Sequence, residues 1–228
     1  ELLWVRTFGE TTGTTSTNSL GLDSAGNPYI VGTTSATALH LGAITLTGQG
    51  NSDAFAAKLD GDGNFVWAKS WGSTGVDNGY ALFIDANDKL HIGGSFYDTV
   101  DFNPASGVAT KTSAGGADAF VSVLDSNGNF QSVISLGGSE NDFVKELKGD
   151  ANDNLYAAGY FYGTSQFGSS ILTSAGSYDN FLAKLNSTGT VEWARQAAGG
   201  TPGSVTPKIA VTSTGDVDFA AHFTEDVN

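Results

Sequence analysis

An all-β chain assembled from repeated four-stranded antiparallel units is what this sequence predicts, on three observations. First, a ten-residue phrase recurs: Asp23-Ser-Ala-Gly-Asn-Pro-Tyr-Ile-Val-Gly32, Asp85-Ala-Asn-Asp-Lys-Leu-His-Ile-Gly-Gly94 and Asp150-Ala-Asn-Asp-Asn-Leu-Tyr-Ala-Ala-Gly159, at intervals of 62 and 65 residues. Second, Asp- or Asn-initiated turns begin at residues 23, 60, 85, 125, 150 and 186, with intervals of 37, 25, 40, 25 and 36. Third, 31 glycines and a charged fraction of only 15% suit short strands and turns, and no capped run of helical period is present. A fixed period of about 63 residues marks a repeat architecture.

Each repeat divides into four strand-like runs, A to D. In the second repeat these cover Tyr80 to Ile84, Leu90 to Phe96, Ala119 to Leu124 and Phe130 to Leu136, bounded by turn clusters. The alternating turn intervals give two hairpins per repeat, A–B and C–D. Each turn opens on Asp or Asn, whose side chain accepts N–H groups of the turn. Each reaches Gly or Asp at its fourth position, as a type I turn closed by a left-handed residue requires.

Runs C and D carry a second phrase: Asp53-Ala-Phe-Ala-Ala-Lys-Leu-Asp-Gly-Asp-Gly-Asn-Phe-Val-Trp67, with equivalents from Asp118 to Ser132 and from Asp179 to Trp193. Phe55, Phe120 and Phe181 fall in register, as do Leu59, Leu124 and Leu185. The last position reads Trp67, Ser132 and Trp193, and Trp4 lies 63 residues before Trp67. Ser132 therefore predicts that another side chain fills the space of a tryptophan. The B–C connections, with Leu41 to Thr47, Phe102 to Gly115 and Phe167 to Gly176, resemble one another and belong to the fold.

Repeated four-stranded meanders are the blades of a β-propeller, and the recurring Phe, Leu and Trp positions read as inter-blade core. The chain reads as one propeller region over 1–228. It comprises a partial blade 1–9 formed by a D strand at 2–8, blades at approximately 17–72, 79–138 and 142–200, and a partial blade 205–228. The last part holds strands at Lys208 to Thr212 and Asp216 to Phe223. A C strand is missing there. The residues are thus expected to be part of a longer protein, or to be completed by partner chains. No Met stands at position 1, which likewise predicts a removed leader or a longer protein.

The phrases Asp23 to Gly32, Asp118-Ala-Phe-Val and Asn64-Phe-Val-Trp-Ala-Lys resemble the SBBP-type β-propeller repeats of secreted bacterial proteins. Val100-Asp-Phe-Asn-Pro104 is similar to the variety in surface proteins of Bacteroidetes. The resemblance covers essentially the whole chain. It implies export to the cell surface or beyond and a ring of about seven blades, and it brings no catalytic residues.

Chemistry is sparse in the sequence. The net charge of −14 disfavours nucleic acid and anionic membrane surfaces. No apolar run reaches the length of a membrane helix, and there is no Cys. Asp60, Asp62 and Asn64 are the residues a calcium ion would use, yet they lack the full spacing and the distal Glu of a calcium loop. The turn reading accounts for them, so neither metal nor other cofactor is expected. Asp53, Asp118 and Asp179 recur just before the core Phe and read as loop anchors. His40, His91 and His222 occupy three different repeat positions, His91 that of Tyr29 and Tyr156. Asn186-Ser-Thr188 is an incidental sequon. There is no Gly-x-Ser-x-Gly elbow or phosphate loop.

The function expected is a non-enzymatic extracellular module: a scaffold, adhesin or ligand-binding platform whose partner is a protein or glycan at the cell surface. A polysaccharide-active enzyme is the alternative. It would draw on the acids that do not recur, Glu140, Asp142, Glu146, Glu192, Glu225 and Asp226, as a carboxylate pair. A structural subunit of a surface filament or secretion-linked assembly is the third reading.

Overall fold

The computed structural model describes residues 4–103, 107–197, 207–212 and 215–221. Among these there is no helix, and every strand-to-strand ladder is antiparallel. Blade 1 is the sheet β1 (Thr15–Leu22), β2 (Pro28–Thr34), β5 (Asp53–Leu59) and β6 (Phe65–Trp71), in that order. Blade 2 repeats it with β7 (Asn78–Ile84), β8 (Leu90–Phe96), β11 (Asp118–Leu124) and β12 (Phe130–Gly138). Blade 3 does so with β13 (Asp142–Gly149), β14 (Leu155–Phe161), β17 (Asp179–Leu185) and β18 (Val191–Ala197). A further A–B pair, β19 (Lys208–Val211) and β20 (Val217–Ala220), follows. The A strands β1, β7, β13 and β19 are successive neighbours, as the innermost strands of propeller blades are.

Each repeat has six strands, two more than the sequence pattern shows. The B–C connection folds into its own hairpin: β3 (Ala38–Leu41) with β4 (Ile44–Thr47), β9 (Thr99–Asp101) with β10 (Thr110–Thr112), and β15 (Thr164–Phe167) with β16 (Ser170–Thr173). In the first and third, a two-residue turn opens on a left-handed glycine, Gly42 or Gly168, both at φ 62°. The hairpins are too short to stand alone and bury apolar residues against the blade: Leu39, Leu41 and Leu46 in the first, Val100 and Phe102 in the second, and Phe167 in the third. Phe102 packs 4.9 Å from Phe120, and Phe167 packs 4.5 Å from Phe181. β15 also pairs with the end of β12, tying blade 3 to blade 2.

All six turns form as the sequence predicts, and a seventh closes β19–β20. The fourth residue is left-handed throughout: Gly26 at φ 83°, Gly63 at 77°, Asp88 at 58°, Gly128 at 77°, Asp153 at 60° and Gly189 at 81°. In the seventh turn Gly215 at φ 87° bonds back to Thr212, which takes the place of Asp.

The recurring phrases exist to bring blades together. Phe55, Phe120 and Phe181 are buried, and each ring lies on the glycine that ends the first phrase. Phe120 joins Tyr29 and Trp71 of blade 1 in one cluster, and Phe181 joins Ala81, Val121 and Leu136 of blade 2 in the next. Burial of each ring contributes about 2–3 kcal/mol.

One strand expectation is corrected. Residues 4–8 form no strand, because a D strand takes its ladder from a C strand and none of the described strands pairs with them. Residues 2 and 3 lie outside the described part, as do 213–214 and 222–228 of the final pair.

Candidate functional site

The turn acids face inward. Asp60 Oδ1 accepts the N–H groups of Asp62 (3.0 Å) and Asn64 (2.8 Å), and Oδ2 accepts the Asn64 amide at 3.1 Å. Asn64 Oδ1 in turn accepts a hydrogen bond from Arg6. Asp125 and Asp150 repeat the pattern. These bonds to the charged form hold all three carboxyls below the usual range. With its oxygens on the turn, Asp60 has the geometry of a turn anchor. Asp60→Ala is expected to lower the melting midpoint by the same amount with added calcium as with a chelator; a calcium-dependent shift lost in that variant would identify an ion site.

A second set of acids closes the loops between strands. Asp53, Asp118 and Asp179 each accept the backbone N–H four residues earlier, from Gln49, Ala114 and Ala175. Asp77 and Asp142 do the same for Ser73 and Gly138, at 2.7 and 2.9 Å. Asp142 is therefore not one of a kind: Asp77 is its equivalent, each eight residues before the Asp of the A–B turn. Asp118 and Asp142 converge at the blade 2–blade 3 junction, where a side-chain carbon on Gly137 would lie 2.7 Å from both Asp118 Oδ1 and Asp142 Oδ2. Both acids are buried, and Asp118 Oδ1 receives no hydrogen bond. Burial pushes Asp118 up to about 6 and Asp142 up to about 7, the latter helped by the charge of Asp118.

The other candidates scatter. Glu146 pairs with Lys208 at 2.8 Å and Lys148 at 3.8 Å, and Glu192 with Lys184 at 2.9 Å. Glu140 is exposed in the loop before β13. Among the described residues no three acids or histidines group to hold a metal. His91 Nε2 meets Asp85 Oδ2 at 3.0 Å, just as the hydroxyls of Tyr29 and Tyr156 bond Asp23 (3.2 Å) and Asp150 (3.1 Å). The expected strand-face role of His91 holds. His40 bonds Glu10 at 2.8 Å. His222, Glu225 and Asp226 lie outside the described residues.

The structure assembles a site that repeat comparison passes over. The A strand of each complete blade carries a one-residue bulge, at Asn18 in β1, Tyr80 in β7 and Lys145 in β13. A bulge re-aims its side chain out of the alternating pattern. All three residues line one axial cavity of about 590 Å³, together with Glu146, Lys148 and Lys208. Asn18 bonds the Gly79 carbonyl at 2.7 Å, and the Lys145 ammonium sits 3.0 Å from the centre of the Tyr80 ring. Phe143 and Tyr160 flank it at 5.1 and 5.4 Å. Among the described residues no carboxylate pairs with Lys145, and desolvation brings it down to about 8. Three of the chain's ten cationic side chains thus meet in a protein of net charge −14. The available signal was position: Asn18, Tyr80 and Lys145 each precede a turn Asp by five residues, but their identities differ.

Ser132 marks a second departure from the repeat. No side chain of the described residues takes the tryptophan's place there. A cavity of about 190 Å³ stands between blades 2 and 3, lined by Ser132 among others. The expectation of a substitute is corrected.

No family model matches the chain. It is similar to an uncharacterized WD repeat-containing protein of Acanthamoeba polyphaga mimivirus, 28% identical over 168 residues. The likeness takes in 67% of this chain and 12% of the length of the viral protein. WD repeats are propeller blades, so this likeness and the blade geometry agree: the chain has a β-propeller-like fold of repeated four-stranded sheets.

Proposed function

We propose that this chain is a non-enzymatic β-propeller module of an exported protein, with SBBP-type repeats, that binds a protein or glycan partner at the cell surface through its axial cavity. The bulge positions carry this reading. One backbone device delivers three different side chains, Asn18, Tyr80 and Lys145, to one cavity. The repeat supplies the position, and the sequence varies what it presents. The excess of lysine over glutamate there favours negatively charged groups on the partner.

A larger ring, of about seven blades, is part of the proposal. Leu20 and Leu22 of β1 are 65% and 57% exposed, whereas the equivalent Leu147 is buried between blades. A preceding blade would cover them.

A glycan array and a pull-down from cell-surface material test the function. Retention by the parent, weakened about tenfold by Lys145→Ala, is expected. Hydrolysis of an arrayed glycan without retention would favour the polysaccharide-active alternative and overturn the proposal.

A further inference from the structure

Three cross-strand positions on the B, C and D strands distinguish blade 2 from its neighbours. In blade 1 the row reads Tyr29, Lys58, Trp67, and in blade 3 Tyr156, Lys184, Trp193. In blade 2 it reads His91, Val123, Ser132. The lost lysine and the lost tryptophan are direct ladder partners. The row thus gives up the indole and its lysine neighbour together, leaving a space where a tryptophan stands elsewhere.

The filled copies show what that space accommodates. Trp67 Nε1 donates to the Ser126 carbonyl at 3.1 Å, in the C–D turn of the next blade. Trp4 Nε1 donates to the equivalent Gly61 carbonyl at 2.8 Å. Both indoles lie against the left-handed glycine of that turn: a side-chain carbon on Gly63 or Gly128 would come within 2.7 or 2.9 Å of the ring. On Gly189, the third equivalent, it would meet nothing within 4 Å. The Ser187 carbonyl stands where those of Gly61 and Ser126 stand, and accepts no hydrogen bond from the described residues. Ile134, Leu155 and Leu185, the last two nearly fully buried, form an aliphatic side of the cavity, with Lys89, Asp153 and His91, the last fixed by Asp85, on its polar side.

We propose that this cavity is a binding site for an indole ring, whose N–H donates to the Ser187 carbonyl while its faces pack on Gly189 and the aliphatic walls. Its volume of about 190 Å³ exceeds the roughly 150 Å³ of an engineered apolar cavity that takes up benzene. The ring belongs either to a free indole or to a tryptophan side chain of a peptide. The site is separate from the axial cavity and does not depend on the function proposed there.

Calorimetric titration with free indole, and in parallel with N-acetyltryptophanamide, tests the site. Saturable binding of indole with a Kd of roughly 0.1–1 mM is expected, with nuclear Overhauser contacts to the methyls of Ile134 and Leu185. Binding of the amide as well assigns the site to a tryptophan side chain, and binding of indole alone assigns it to the free molecule. Ser132→Trp should fill the cavity, abolish binding and raise the melting midpoint by roughly 4 °C. Ile134→Asp, which sets a carboxylate against the ring, should weaken binding about tenfold and guards against a misfolded tryptophan variant. Absence of saturable indole binding, or unchanged binding in both variants, would overturn the proposal.

Discussion

Gly94→Ala is expected to destabilise the protein by about 3 kcal/mol or more and to lower its melting midpoint by roughly 10 °C. Gly94 closes the second copy of the ten-residue phrase. A methyl group there would overlap the Asn78 carbonyl oxygen and come within 2.6 Å of the Phe120 ring. Neither neighbour can yield. The carbonyl belongs to β7, held to β8 on either side of the bulge, and the ring is buried between Phe96 at 6.3 Å and Phe102 at 4.9 Å. Gly32 and Gly159 stand in the same relation to Phe55 and Phe181. Two other glycines separate crowding from backbone strain. Gly26 has open space but φ of 83°, so Gly26→Ala should cost about 1 kcal/mol from conformation alone. Gly61 has open space and no positive φ, so Gly61→Ala should change stability by less than about 0.5 kcal/mol. Thermal or urea melts of the three variants make the comparison; equal midpoints for Gly94→Ala and Gly61→Ala would sink the packing argument.

The second large effect is a stability maximum at mildly acidic pH. Asp118 and Asp142 are held up at about 6 and about 7, against 3.8 for a free carboxyl. The folded state therefore binds protons that the unfolded state has released. Their contribution is fully present below about pH 3.8 and is lost as pH rises through 6 and 7. Asp53 and Asp77 are raised by burial in the same sense. The turn acids act oppositely. Asp23 is held down to about 2 by the Asn27 and Lys58 contacts, which outweigh its desolvation, so its contribution is present above 3.8 and lost as pH falls toward 2. The two sets together place the maximum between about pH 4 and 6. Between pH 5 and 8 the unfolding free energy should fall by about 3 kcal/mol. Asp142→Asn removes the charge but keeps an oxygen for the Gly138 N–H, so it should flatten that fall. A parent equally stable at pH 5 and pH 8 would contradict the account.

Much of the fold was legible because turns and core positions impose local demands. An Asp or Asn that caps its own turn and a Gly or Asp at positive φ leave the same mark in every copy, and β8 begins and ends at the residues its pattern indicates. The B–C hairpins were not legible as strands. Their strands run to three or four residues, and their alternation becomes meaningful only when Leu41, Phe102 or Phe167 has a blade to pack on. The junction acids were half visible. Asp118 recurs and reads as an anchor, whereas its pairing with Asp142 depends on how blade 2 meets blade 3.

The candidate sites divide in the same way. Ser132 is conspicuous in sequence as a missing tryptophan, but whether its space is refilled is a question of packing. Lys145 gives no local sign, since a bulge shifts the ladder by one residue without altering the period of the chain. The sequence alone determined the repeat, the turn chemistry, the recurring Phe and Leu core positions and hence the propeller-like architecture, because each is a short-range or periodic constraint. Only the tertiary structure decided which side chains converge on the axis, which acids share a buried junction, and that the space beside Ser132 stays open. Those outcomes depend on contacts between residues 24 to 65 positions apart and in different blades, whose identities no single repeat dictates.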